Sequence, residues 1–439
     1  MKSSVYPRLS IMMLLQYAVW GFWLPVLSRY LQASPEEGGL GFTAGNVGWI
    51  IGLAGSIGAV TAPFIAGQFA DRYFSTERFL PFLLIVGGAI KIYTASQTGL
   101  GMWLMLSVAY GVVYMPTLAL TNSLAFTHLD DPNRQFPYVR VWGTVGWIAA
   151  SWIFPMVWLQ TDLRLQWMPP FLVGSEVEGV TARLVDALRF SGVTSILYGG
   201  FCFFLPHTPP RRDATEKLAF AKAFALMRRP SFAVLVAASL PISVIHQIYF
   251  MQTGPYLASI GVRDSMIAPA MTIGQFAEIG VMALLGLMLK RIGFRWVMFM
   301  GAMAYFARYA VFGTVTLPIE LILASQFLHG FCYACFFASA YIYVDRIAEE
   351  DVRHSAQTVF GIIILGLGPV VAAPFLTLLE WLFKPEGREL NYSYLWYTLS
   401  AVGLVTALGF AAFFRDETVE GAESVAGGAD RIAGTERAN

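Results

Sequence analysis

The chain has 439 residues, 56% hydrophobic and 13% charged, and its 29 Lys and Arg against 28 Asp and Glu leave a net charge of +1. Soluble domains carry about 25% charged residues, so this much apolar surface exceeds what one aqueous core can hide. The balanced charge and the absence of a dense basic segment argue against nucleic acid as a partner.

A helix crosses a hydrocarbon core of roughly 30 Å with about 20 apolar residues, and runs of that length recur along the chain. Residues 9–28, 38–70, 141–161, 190–210, 230–262, 321–344, 354–379 and 390–414 contain no Asp, Glu, Lys or Arg. The stretch 79–129 is broken by Lys91 and turns at Gln97-Thr98-Gly99, which predicts a two-helix hairpin. Runs 265–289 and 296–319 carry one charge apiece, Glu278 and Arg308, and bring the spans to twelve. The alternating segments of about 10 residues that a barrel needs do not appear. The first run is too long for a signal peptide, lacks a small-residue cleavage site, and reads as a span. Cys202, Cys332 and Cys335 fall inside spans, so the C-x-x-C reads as helix packing, and no disulfide, metal site or cofactor is expected.

Lys and Arg number nineteen on the termini and even-numbered loops against seven on the opposite loops, which predicts both termini in the cytoplasm. Residues 207–229 open with Pro209-Pro210-Arg211-Arg212, end at Arg228-Arg229 and divide six spans from six. That segment is either a solvated tether or a surface helix drawn to anionic lipid. The domains expected are a bundle over 1–206, the linker 207–229, a bundle over 230–415 and a disordered tail over 416–439. The external loop 161–189, with Pro169-Pro170, reads as an ordered excursion. Gly67-Gln68-Phe69-Ala70-Asp71-Arg72 after span two recurs as Gly286 to Arg291 after span eight, an internal repeat half a chain apart. Lys91 and Arg308 also recur at matching places, where long side chains are expected to snorkel to the outer headgroups.

Polar residues in mid-span mark the candidate site, because lipid penalises them. Span five sets Arg140, Thr144 and Trp147 on one stripe. Arg140 either faces a wet cavity or a carboxylate, or anchors the end of its helix. Span eight offers Gln275 and Glu278, the latter midway through its run. An ionised carboxylate at that depth is costly, so Glu278 is a candidate proton carrier, a hydrogen-bond acceptor for substrate, or a permanent partner of Arg140. Span seven adds His246 and Gln247, span ten His329, Tyr333, Phe336 and Phe337, and span one Gln16, Trp20 and Trp23. A flat ligand could stack on such rings while amides and the carboxylate take its hydroxyls.

The Gly67 to Arg72 segment resembles the signature loop of the major facilitator superfamily. That resemblance implies an all-α membrane protein of twelve transmembrane helices in two pseudo-symmetric six-helix bundles, with Asp71 and Arg72 as gating residues. Tyr114 to Asn122, Phe136 to Trp147, Leu15-Gln16 with Trp20-Gly21, Gln275-x-x-Glu278 and Ser355-Ala356-Gln357 resemble the bacterial nucleoside:proton symporters. The likeness implies nucleoside binding at Arg140, Thr144, Trp147, Gln247, Gln275, Glu278, His329 and Tyr333, with Glu278 coupling to protons. It also implies an inner-membrane transporter that is no enzyme, with nucleoside, proton and lipid as its partners and acting as a monomer. Four positions depart from the family: Phe250 stands for an Asn, other rings occupy 329 and 333, and Ala334 replaces a buried Asp. These leave an uncoupled facilitator, a permease for another sugar-like solute, or a non-transporting receptor as alternatives.

Overall fold

The computed structural model describes residues 5–63, 65, 74–167, 171–209, 226–348, 353–385 and 389–416. Within them the apolar runs form helices, and ten helical stretches are long and apolar enough to cross a membrane. The first helices in chain order are α1 (Val5–Gln32), α2 (Ala44–Pro63), α3 (Thr76–Thr94), α4 (Leu100–His128), α5 (Pro132–Trp158) and α6 (Asp186–Phe201). After the linker come α7 (Pro230–Ser259) and a helical run Asp264–Gly313 that the backbone divides in two. Gly293 has φ 76° and ψ 169°, a conformation that costs a glycine little and other residues much, and it separates α8 (264–292) from α9 (294–313). The chain continues as α10 (Ile319–Ile347), α11 (Ala356–Phe383) and α12 (Tyr392–Phe413). With that run divided and α3 counted, the described helices are consistent with the twelve expected spans.

Local chemistry sets several ends. Asp131 caps α5 by accepting from the Arg134 N–H at 3.2 Å, with Pro132 filling the first helical position. Asn391 caps α12 through the Tyr394 N–H, also at 3.2 Å. Two passes contain wide π turns, Cys332–Ala338 in α10 and Ile362–Leu367 in α11. Such turns insert an extra residue into a helix and commonly lie at functional sites.

Helix α1 lies along α5, α2 along α4 and α11, and α3 along α6. Glycine makes the α1–α5 approach possible: a Cβ on Gly21 would come within 2.5 Å of the Trp147 carbonyl oxygen. Hydrogen bonds tie Tyr6 to the Tyr138 carbonyl (3.1 Å) and Thr208 N–H to Glu77 (2.9 Å), and Arg346 meets Asp416 at 3.5 Å. These contacts gather the starts of α1, α3 and α5 and the ends of α6, α10 and α12 on one side, the terminal face.

The opposite side carries the excursion over 161–189. It is an antiparallel hairpin of β1 (Gln160–Leu165) and β2 (Leu172–Glu176), followed by the one-turn helix Val180–Arg183. Asp71 and Arg72, residues 210–225 of the linker and residues 417–439 of the tail lie outside the described residues.

Candidate functional site

Three passes of one half and two of the other meet in mid-membrane around a set of half-buried side chains. Trp147 on α5 packs edge-on to Trp20 of α1 and to Phe250 of α7, each with ring centroids 6.4 Å apart. Arg140, two turns earlier on α5, holds its guanidinium carbon 4.0 Å above the Tyr17 ring. Glu278 on α8 has Arg140 as the charge that acts on it, yet the two are not within the 4.0 Å of an ion pair. Tyr333 on α10 feels both charges and Tyr17 as well. The influence of the Arg140 charge sets Glu278 toward the opposite half rather than toward acyl chains. Thr144 and Gln247 are half-buried beside this group. Gln275 is 8% exposed, and its Oε1 has no hydrogen-bond partner, which leaves an acceptor to be filled.

Toward the hairpin face the halves are joined. Trp152 Nε1 donates to Thr272 Oγ1 at 2.8 Å. Nearer the surface Arg29 reaches Asp264 at 2.8 Å and Glu37 at 3.0 Å, and Thr181 Oγ1 donates to the other Asp264 oxygen at 2.6 Å. Arg263 donates to the Gly174 carbonyl (2.9 Å), and Glu176 and Glu380 accept from the N–H groups of Ser265 (2.8 Å) and Gly45 (2.7 Å). Among the described residues no hydrogen bond joins the halves near the terminal face.

Other expected residues lie elsewhere. Gln16 is fully buried inside its own half, donating to Thr117 Oγ1 at 2.8 Å. His329 is 2% exposed, stacked on His246 (5.5 Å) and Tyr249 (5.1 Å). Lys91 and Arg308 correct the snorkelling expectation. Lys91 is 5% exposed, with Nζ 3.3 Å over the Trp23 ring and 4.1 Å over Tyr110. Arg308 is 0% exposed, 4.1 Å over Tyr249 and 4.9 Å over Tyr309, and donates to His329 Nδ1 at 2.6 Å. In each half a cation on the third helix is thus gripped by rings, from the first and fourth helices around Lys91 and from the first helix and its own around Arg308. Desolvated cation–ring contacts are each worth about 2 kcal/mol, which offsets part of the cost of burial.

The family of nucleoside H+ symporters matches residues 1–419 of the chain. The chain belongs to the nucleoside H+ symporter family. It is 30% identical over 425 residues to the putative nucleoside transporter YegT of Escherichia coli K12, covering 94% of each chain. It is 27% identical over 431 residues to the xanthosine permease of the same organism, covering 94% of this chain and 96% of that one. Its fold matches a crystal structure of the nucleoside transporter NupG with a TM-score of 0.80, at 23% identity over 93% of this chain and 100% of the other. The protein is a multi-pass membrane transporter with the fold of that structure, and its family couples nucleoside movement to protons.

Within that family the departures noted from sequence acquire surroundings. Ala334 is fully buried in a small apolar cluster with Val281, Leu285, Val297 and Cys335, a place without a carboxylate in this symporter. Phe250 contributes a ring to the wall instead of an amide. Cys332 and Cys335 are free and buried, and among the described residues no group of His, Cys, Asp and Glu could hold a metal. Sequence reasoning missed Asp264 and counted Arg29 merely as a loop cation. The signal available was an Asp opening α8 opposite an Arg ending α1, but nothing in either segment says they meet.

Proposed function

We propose that this symporter moves nucleosides with protons across the bacterial inner membrane by alternating access, as a monomer, with Glu278 as the proton-carrying group. The observation that carries this reading is the placement of Glu278 on one half opposite Arg140 on the other, close enough to interact and too far to pair. A carboxylate so placed is accessible to substrate and proton alike, and its charge changes the attraction between the halves. The nucleoside fits between Arg140, Thr144 and Trp147 on one side and Gln247, Gln275, Glu278 and Tyr333 on the other. Trp147 offers a stacking face, the amides and carboxylate take ribose hydroxyls, and His329 supports Tyr333 from behind.

The excess of Lys and Arg makes the terminal face cytoplasmic. The bonds clustered at the hairpin face then belong to an inward-facing state. Asp71 and Arg72 act at the cytoplasmic gate between bundles 1–206 and 230–415, joined by 207–229. Uridine uptake into proteoliposomes tests the assignment. A gradient acid outside should drive accumulation, and Glu278→Gln should abolish accumulation while substrate counterflow continues. Survival of both would remove the proton role from Glu278, and no uptake of any nucleoside would reject the substrate class.

A further inference from the structure

The buried guanidinium of Arg308 has no carboxylate beside it among the described residues, and one of its strongest contacts is to an imidazole nitrogen. An arginine side chain donates and never accepts. The 2.6 Å approach of Arg308 Nη1 to His329 Nδ1 therefore requires a lone pair on Nδ1, so the ring proton sits on Nε2 and the imidazole is neutral. Adding a proton at Nδ1 would break that bond and set an imidazolium against a guanidinium in a fully buried place.

The other groups facing His329 reinforce this state. From α7 come His246, whose Nδ1 is bonded to Tyr305 at 2.8 Å, and Tyr249, whose hydroxyl donates to Gln326 at 3.0 Å. From α9 come Tyr305 and Tyr309, the latter accepting from Arg308 at 3.1 Å. Its own helix adds Cys332 and Tyr333, and α8 passes with Gly274 against the ring. No carboxylate acts on His329; the charged and titratable neighbours that do are Arg308 and His246.

We propose that Arg308 is a positioning residue that holds His329 neutral and outside the proton path, so that transport responds to the ionisation of Glu278 without a second proton store beside it. This rests on the role given to Glu278 above. Burial by itself disfavours an imidazolium at this stacked pair of histidines, and a guanidinium at bonding distance disfavours it further. The guanidinium's tyrosine contacts also hold it against His329.

The test is the pH dependence of gradient-driven uridine uptake, with the same profile measured for variants. His329→Gln should change the amount of uptake but not the midpoint of its pH profile. Arg308→Gln should add a second inflection on the acid side of the parent midpoint, because the ring loses the facing cation and can take a proton, and Arg308→Gln with His329→Gln should lose it again. Arg308→Lys, which keeps a donor-only cation, should retain the original profile. A midpoint moved by His329→Gln, or an Arg308→Gln profile matching the parent, would overturn the proposal. Nitrogen-15 NMR of the histidines in the purified protein, with the His329 signal assigned by its loss in His329→Gln, gives a readout independent of transport. A neutral Nε2–H ring from about pH 5 to 8 is expected, and imidazolium at the acid end would defeat the proposal even if uptake of nucleosides were established.

Discussion

At the scale of single residues, the site separates side chains that line it from those that hold the lining. On the reading proposed above Trp147 belongs to the first kind: it is half-buried, with the rings of Trp20 and Phe250 set steeply across it. Trp147→Ala should raise the KM for uridine by about three- to tenfold with a smaller change in the maximal rate, as expected for loss of one aromatic contact. Initial-rate uptake over a range of uridine concentrations measures this. Arg140, Glu278 and Trp147 could be singled out in the sequence because a charge in or beside an apolar run is rare and a stripe at helical spacing is easy to see. Arg308 and Lys91 were equally visible as charges, yet their surroundings were not. Hydropathy reports depth along a helix and says nothing of which neighbour a face meets, so two residues gripped by rings read as residues reaching for headgroups.

At the scale of elements, small residues decide how closely the passes approach. Gly146 lies on α5 with its Cα against the backbone of Leu14, where an added Cβ would collide with main chain rather than with a movable side chain. Gly146→Val should part α1 from α5 and cost about 1–3 kcal/mol, seen as a lowered melting temperature in detergent, with uridine affinity falling as Trp20 leaves Trp147. The positions of most passes followed from runs without charge. Their irregularities did not: the break at Gly293 rests on one φ angle, and the wide turn after Phe331 follows no pattern in Cys332–Ala338. That turn lies between His329 and the end of α10, so a face assigned by regular spacing drifts there. The β1–β2 hairpin was foreseen as ordered chain but not as strands, since its pairing depends on contacts with the other half.

At the scale of the whole molecule, the two halves are fastened on the hairpin side by charges that are only slightly exposed. Arg29 is 18% exposed and Asp264 7%, so their contact is a charge-assisted hydrogen bond shielded from most of the solvent. Such bonds contribute about 1.5–3 kcal/mol, enough to change a two-state ratio by roughly ten- to a hundredfold. Asp264→Asn should shift the population toward opening on the hairpin side, raising the labelling rate of a cysteine placed at Ser28 by an impermeant reagent. An unchanged rate would mean that the latch does not set the balance. The wide turns in α10 and α11 bear on how such an exchange is accommodated. Each stores one residue of slack, and tightening either to ordinary pitch would rotate everything beyond it by about 100° and lengthen the rod by about 1.5 Å. These two passes can therefore move as screws instead of levers, re-aiming the rings of one end while the other stays seated.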